Sequence, residues 1–345
     1  MTQQGVAAQA AAPRRSVIDT LEIDVRLLGM LMAFAAVAVV FTIWTGGTFV
    51  GPRNVFNIAV QTVPVAIMAC GMVFVIVARH IDLSVGSMLA MCSAVMAMSQ
   101  AQWLPKLFGL EYGNPVILVV TILIGLVTGT LIGSLTGWLV GYQRIPSFIV
   151  TLGVFNIAFA ITQLYSGSQT VTEVPALMTW LGSTFPMGGS NVAYGTVLMI
   201  LLYLGVWFWL RETPSGRHVY AVGNNPEATR LVGIPPERVI LGVYALSGVF
   251  YGIASLLAVA RTGVGDPNAG QTEALDAITA VVLGGTSLFG GRGVILGTLV
   301  GAVVVGVLRN GLTLMGVASV YQVLITGILV IAAVAVDQLS RKGAR

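Results

Sequence analysis

The chain has 345 residues, 56% of them apolar and only 9% charged, with 42 glycines, a net charge of +4 and a mean hydropathy of +0.91. Soluble domains carry about 25% charged residues, so there is too little polar surface here to cover a soluble body, and a soluble enzyme is excluded. The expectation is an all-α, polytopic membrane protein.

In chain order, residues 1–26 read as a polar, Ala-rich tail. The apolar run Leu27–Trp44 is followed by Thr45-Gly46-Gly47 rather than a small-x-small cleavage signal, so it reads as a retained first span. Nine further runs follow: Val55–Val77, Val85–Ser99, Pro115–Gly141, Pro146–Tyr165, Tyr194–Leu210, Val239–Ala260, Ala274–Leu288, Gly293–Val307 and Val320–Val336. About 20 residues make one crossing. Ten spans are therefore expected in a membrane domain over residues 27–337, with a basic tail over 338–345 and both termini cytoplasmic. In that orientation all of the 17 Lys and Arg residues except Arg53, Lys106, Arg261 and Arg309 fall on the cytoplasmic side. The long loop Ser166–Val192 has neither Lys nor Arg, as suits an outside loop.

Between the second and third spans lies Arg79-His80-Ile81-Asp82-Leu83-Ser84-Val85-Gly86-Ser87. Asp82 is expected to cap the third helix with Arg79 in reach, so Asp82, Ser84 and Gly86 form a structural or gating turn. On the fifth span, Phe148, Leu152, Phe155, Asn156, Phe159 and Gln163 recur at helical spacing, bordered by Thr151. Rings beside amides and hydroxyls suit a polyhydroxylated ligand, and they equally suit a helix–helix seam. The eighth span is short: Asp276–Phe289 reaches only about 21 Å as a helix, and Gly284-Gly285-Thr286 interrupts it. Such a segment either lines a water-filled path or packs closely on its neighbours through glycine.

The cytoplasmic insertion, residues 211–238, spells a short helix. Asn225 suits its N-cap, Pro226 its first position and Glu227 its positive end, while Ala228, Thr229, Arg230 and Leu231 complete it. Gly233 and Pro235-Pro236 then stop it. A helix this short does not persist alone in water. It is either a docking element for another protein or a loop helix resting on its own bundle.

Several chemistries are absent from the sequence. The only lysines, Lys106 and Lys342, do not follow glycine, so there is no phosphate-binding Gly-Lys-Ser/Thr loop, and no G-x-S-x-G or H-E-x-x-H motif occurs. Cys70 and Cys92 lie in apolar runs and read as buried small hydrophobes, with no disulfide framework. His80 and His218 have no ligand-rich neighbours in sequence, so no metal site is expected, and the dispersed basic residues are no nucleic-acid footprint.

Several of these segments, taken in order, resemble the permease subunits of bacterial ATP-binding-cassette importers for monosaccharides of the ribose/xylose/fructose type. They are Ile81–Ser87, Pro146–Gly153, Gly216-Arg217, Ala221–Gly223, Asn225–Ala228, Asp276–Gly293 and Leu296–Ala302. One departure is Arg79-His80, where many members carry small residues or glycine. The resemblance implies a multi-pass protein of the bacterial inner membrane that is not itself an enzyme and binds no cofactor. ATP and Mg would belong to a separate ATPase subunit, docked on a coupling helix at Asn225–Leu231. A periplasmic sugar-binding protein and a second permease copy would complete the assembly in the lipid. Thr151, Phe155, Asn156, Phe159, Gln163, Gly284, Gly285 and Thr286 are the candidate path residues. The competing reading is an ion-gradient-driven secondary transporter or channel for small polar solutes. That reading asks for carboxylates deep inside the spans, whereas Asp82, Asp276 and Asp337 are expected near span ends.

Overall fold

The computed structural model describes residues 25–342 except Leu110, Tyr112, Glu173, Gly188 and Gly189. The tail over residues 1–24 and Arg345 lie outside the described residues. Helices occupy each of the ten expected positions: α1 Val25–Trp44, α2 Pro52–Val77, α3 Val85–Met98, α5 Pro115–Gly141, α6 Ser147–Ser166, α7 Tyr194–Glu212, α10 Pro236–Thr262, α11 Glu273–Leu283, α12 Ile295–Leu314 and α13 Ser319–Lys342. Three short helices lie between them: α4 Leu104–Phe108, α8 Pro214–Asn224 and α9 Pro226–Leu231. Six helices (α2, α5, α6, α7, α10 and α12) are long and apolar enough to cross a membrane, which makes this a multi-pass membrane protein.

The expectation of an all-α chain is corrected in one place. Strands β1 Thr184–Met187 and β2 Ser190–Ala193 pair antiparallel in the long loop before α7. Phe185, on β1, packs its ring 4.9 Å from Tyr194 at the start of α7, and Trp180 stacks on Tyr194 at 4.5 Å. Aromatic anchoring of this kind holds a loop that has no helical period.

The core is the pair α2 and α10. Almost every residue of α2 from Thr62 to Val77 is buried, including Cys70, and Cys92 on α3 is equally enclosed. Phe74 of α2 meets Phe250 of α10 edge-on at 5.4 Å. Helix α5 closes on α10 through a row of glycines at four-residue spacing. A Cβ at Gly129, Gly133, Gly137 or Gly141 would collide with the backbone of Gly248, Tyr244, Leu241 or Glu237 in turn. The two backbones therefore touch, the close packing that small residues permit inside a membrane.

The contacts of α2 and α10 mirror one another. Helix α10 packs on α5 and α3, while α2 packs on α12 and α11. Likewise α3 packs on α5 and α6, while α11 packs on α12 and α13. Two four-helix sets, α2-α3-α5-α6 and α10-α11-α12-α13, thus repeat one pattern and meet along α2–α10.

In each set the second helix is a broken segment. Helix α3 has 14 α-helical residues and continues without a break through a π turn at Ser99–Trp103 into α4, whereas α11 has only 11 residues and is too short to cross alone. Each is preceded by a non-helical lead-in, residues 78–84 before α3 and 263–272 before α11. Asp82 in the first lead-in bonds Tyr251, midway along α10. The second lead-in runs back along α3: Gly265 lies against Ser93, Ala94 and Ala97, and Gly270 against Gly86. The two broken segments therefore cross at Gly86 and Gly270, deep inside the chain. Extended backbone at that depth is tolerated because protein surrounds it.

The helix of the eighth segment does stop at Gly284-Gly285-Thr286, as its sequence implies, and a further break that the sequence did not reveal lies ahead of Glu273. Helix α12 also runs to Leu314 rather than Val307, taking Arg309 into its interior.

Candidate functional site

The turn before α3 is held by one carboxylate. Asp82 Oδ1 accepts from the Ser84 backbone N–H at 2.9 Å and from the Ser84 hydroxyl at 2.6 Å, and Oδ2 accepts from the Tyr251 hydroxyl at 3.1 Å. The expected cap on α3 is not made: Ser84 occupies the N-cap position without a side-chain cap bond. Arg79 is no ion-pair partner either; it is exposed, with a left-handed φ of 71°. That backbone region favours glycine, so Arg79 holds a strained conformation there. Gly86 is where the two broken segments touch, since a Cβ there would meet the Gly270 carbonyl.

The candidate path residues separate into three places. Asn156 is exposed and Phe155, Phe159 and Gln163 are half-buried on the face of α6 that this chain leaves open, flanked by exposed Phe148 and Leu152. Asn156 Nδ2 donates to the Leu152 carbonyl at 3.0 Å. Thr151 does not join them; it is fully buried, its hydroxyl 3.4 Å from the Ile81 carbonyl. Gly284, Gly285 and Thr286 sit at the end of α11 against α12. A Cβ on Gly284 would lie 2.5 Å from Thr298 Cα, and Thr286 Oγ1 accepts from the Val294 N–H at 3.4 Å. The glycine-packing reading describes Gly284; Gly285 has open space where a Cβ would stand and takes a left-handed φ of 84° instead.

Gln163 makes a connection that helical spacing alone did not reveal. Its Nε2 donates to Asn268 Oδ1 at 3.0 Å, on the lead-in to α11. The other side of that lead-in lines a cavity of about 270 Å³ bounded also by α2, α3, α10, α11 and α12. Asp276, fully buried, pairs there with Arg309 at 2.8 Å, and Glu273 lies 3.9 Å from the same guanidinium. Asp82 and Asp276 are therefore both deep, contrary to the expectation that they lie at span ends: Asp82 lies in a non-helical lead-in and Asp276 in the first turn of an 11-residue helix, and protein encloses both. The sequence did hold a signal, because Arg261 and Arg309, both lining this cavity, are two of the four basic residues that escaped the cytoplasmic side.

The short helix of the 211–238 insertion forms as expected. Asn225 caps α9, its side chain accepting from the Ala228 N–H at 3.0 Å; Pro226 opens the helix, and Gly233 follows it with φ 85°. Thr229 is buried against the chain, while Glu227, Ala228 and Arg230 are exposed. Arg230 reaches Glu237 at 3.3 Å. Beyond them Leu231 is 87% and Val232 74% exposed, an apolar tip on a polar surface. Helix α8, missed in the sequence, supports α9; its Thr213 cap and Pro214 start are the signals that identify it, with Thr213 Oγ1 accepting from the Gly216 N–H at 3.2 Å.

A family model described as branched-chain amino acid transport system / permease component matches residues 54–334. The fructose import permease protein FrcC of Rhizobium meliloti is 38% identical over 309 residues, covering 88% of this chain and 83% of the relative. The ribose import permease protein RbsC of Escherichia coli K12 is 39% identical over 289 residues, 83% of this chain and 85% of the relative. The xylose transport system permease protein XylH of the same strain is 32% identical over 378 residues, 93% of each. No solved structure matches. With mirrored helix sets, two broken segments and these relatives along most of its length, the chain belongs to the permease family of ATP-binding-cassette importers.

Proposed function

We propose that this chain forms the membrane path of an ATP-driven importer for a monosaccharide of the ribose, xylose or fructose class. The substrate class comes from the three relatives named for those sugars. The chain crosses the inner membrane ten times with both termini cytoplasmic. Two copies face each other through the open side of α6, so that Phe155, Asn156, Phe159 and Gln163 border the path. A periplasmic binding protein delivers the sugar, and ATP with Mg is consumed in a separate ATPase subunit. A gradient-driven transporter is the weaker reading because the deepest acid, Asp276, already has a fixed cation partner in Arg309.

The observation that carries the coupling role is the tip of α9. Six helical residues cannot hold their shape alone, yet α9 is capped at both ends and presents Leu231 and Val232 to the solvent side. A small apolar anchor on a rigid mount is what a partner's surface pocket needs. Ala228→Pro tests this, because it deletes the N–H that Asn225 accepts. Sugar uptake into proteoliposomes and co-purification of the ATPase are both expected to fall about tenfold or more while the protein inserts normally, with Glu227→Ala milder. If Ala228→Pro leaves both intact, α9 is not the docking element.

A further inference from the structure

A charge buried inside a membrane protein costs several kcal/mol unless it is paired. Asp276 is such a charge, and neither the α6 face nor the α9 tip uses it. Its carboxylate has about four acceptor positions, of which the 2.8 Å ion pair with Arg309 engages one side. It borders the 270 Å³ cavity, which is far larger than the roughly 10–15 Å³ needed for one water. Around it stand Glu273, Asp266, Arg261 and Arg309, with Gln61 and Ser93 as neutral hydrogen-bonding groups. Arg261 is exposed and Asp276 is enclosed, so the cavity has a mouth at the end of α10 and a floor at the first turn of α11.

The charges select the ligand. Two guanidinium groups and three carboxylates leave a residual charge of about −1, which disfavours anions, and two of the three carboxylates already lie within 4 Å of Arg309 rather than free for a cation. What it offers is donors next to acceptors. Adjacent hydroxyl groups, each able to donate to a carboxylate and accept from a guanidinium, satisfy such a wall. We propose that this cavity is a second solute site within each copy, distinct from the α6 face, which holds one neutral polyhydroxylated molecule of monosaccharide size against Glu273, Asp276 and Arg309. The class of solute rests on the importer reading above; the location rests on the cavity itself. The lead-in to α11 is the partition between the two places: Asn268 touches Gln163 of α6, while Asp266 and Ala269 face the cavity.

The test is protection from a thiol reagent. Cys70 and Cys92 are fully buried, so Ala269→Cys places the reactive thiol on the cavity wall against a quiet background. Labelling by N-ethylmaleimide is followed in the full transporter in proteoliposomes, with ribose, xylose, fructose or the anion gluconate present. Slowed labelling with at least one neutral sugar and none with gluconate is expected. In Ala269→Cys carrying Glu273→Gln, the sugar concentration needed for protection is expected to rise about tenfold, the size of one lost hydrogen bond to a charged group. A thiol that never reacts, that no sugar protects, or that gluconate alone protects overturns the cavity proposal. Uptake of the same sugars by the unaltered protein is measured in parallel; absence of any uptake overturns the importer reading, and the labelling result still decides the cavity.

Discussion

The two broken segments perform the same architectural task with opposite chemistry. The lead-in to α3 is sealed: Asp82 has three donors on its two oxygens, all from hydroxyl or backbone groups, and no cation nearby holds it. The lead-in to α11 is open. It runs beside a cavity, and the buried acid just beyond it, Asp276, is neutralised by a guanidinium carried on a different helix. Two arms of one repeated pattern have thus diverged, one into a fixed joint and the other into a wall with room beside it. Hydrogen-bonded turns resist movement, whereas an ion pair between helices can be exchanged for contacts with a ligand.

The largest effect that bears on this contrast is expected from Asp276→Ala. It leaves the half-buried Arg309 guanidinium with Glu273 alone, at 3.9 Å, and is expected to cost about 1–3 kcal/mol, read as thermal unfolding in detergent. Adding Arg309→Leu is expected to restore most of that loss, because both charges are then gone; a double variant no better than the single one would show that the pair is not the reason. In the sealed arm, Asp82→Asn keeps the shape and one acceptor, so the expected cost is only about 1 kcal/mol. A loss equal to that of Asp276→Ala would erase the distinction between the arms. A gentler probe is pH. Burial, reinforced by the charge of Arg79, pushes His80 down to about 4. The unfolded chain takes up that proton near 6.5 and the folded chain does not, so stability falls as pH drops from about 6.5 towards 4. His80→Gln is expected to flatten that decline, and an unchanged acid limb of the melting curve would remove His80 from the account.

Much of this was readable from residue order, and the reason differs by element. The cap on α9 was legible because Asn225, Pro226 and Gly233 act locally, through backbone angles that no distant contact overrides. The ten helix positions were legible because lipid demands long apolar runs. The crossing of the lead-ins was not, since it depends on Gly86 meeting Gly270, residues that nothing in sequence brings together. Asp82 was identified as the key to its turn, but its partner was misassigned to Arg79: proximity in sequence pointed to the cation, and the fold supplied Tyr251 instead. The cavity escaped because its walls come from five helices and a loop, although Arg261 and Arg309 stood out as misplaced charges. On α6, periodicity grouped Thr151 with its aromatic neighbours, while packing turned its hydroxyl towards Ile81.

The glycine row between α5 and α10 reverses a common rule of protein engineering. Replacing a helical glycine by alanine ordinarily gains about 0.4–1 kcal/mol by restricting the unfolded chain. At Gly129 or Gly133 the added methyl would strike a carbonyl oxygen of the facing backbone, which belongs to a rigid helix and cannot turn aside as a side chain would. It would act as a wedge, and prying α5 from α10 also unseats Tyr251 from Asp82. A stabilisation campaign on this protein would do better at exposed Gly205 and Gly242, which lie within helices with open space where a Cβ would stand.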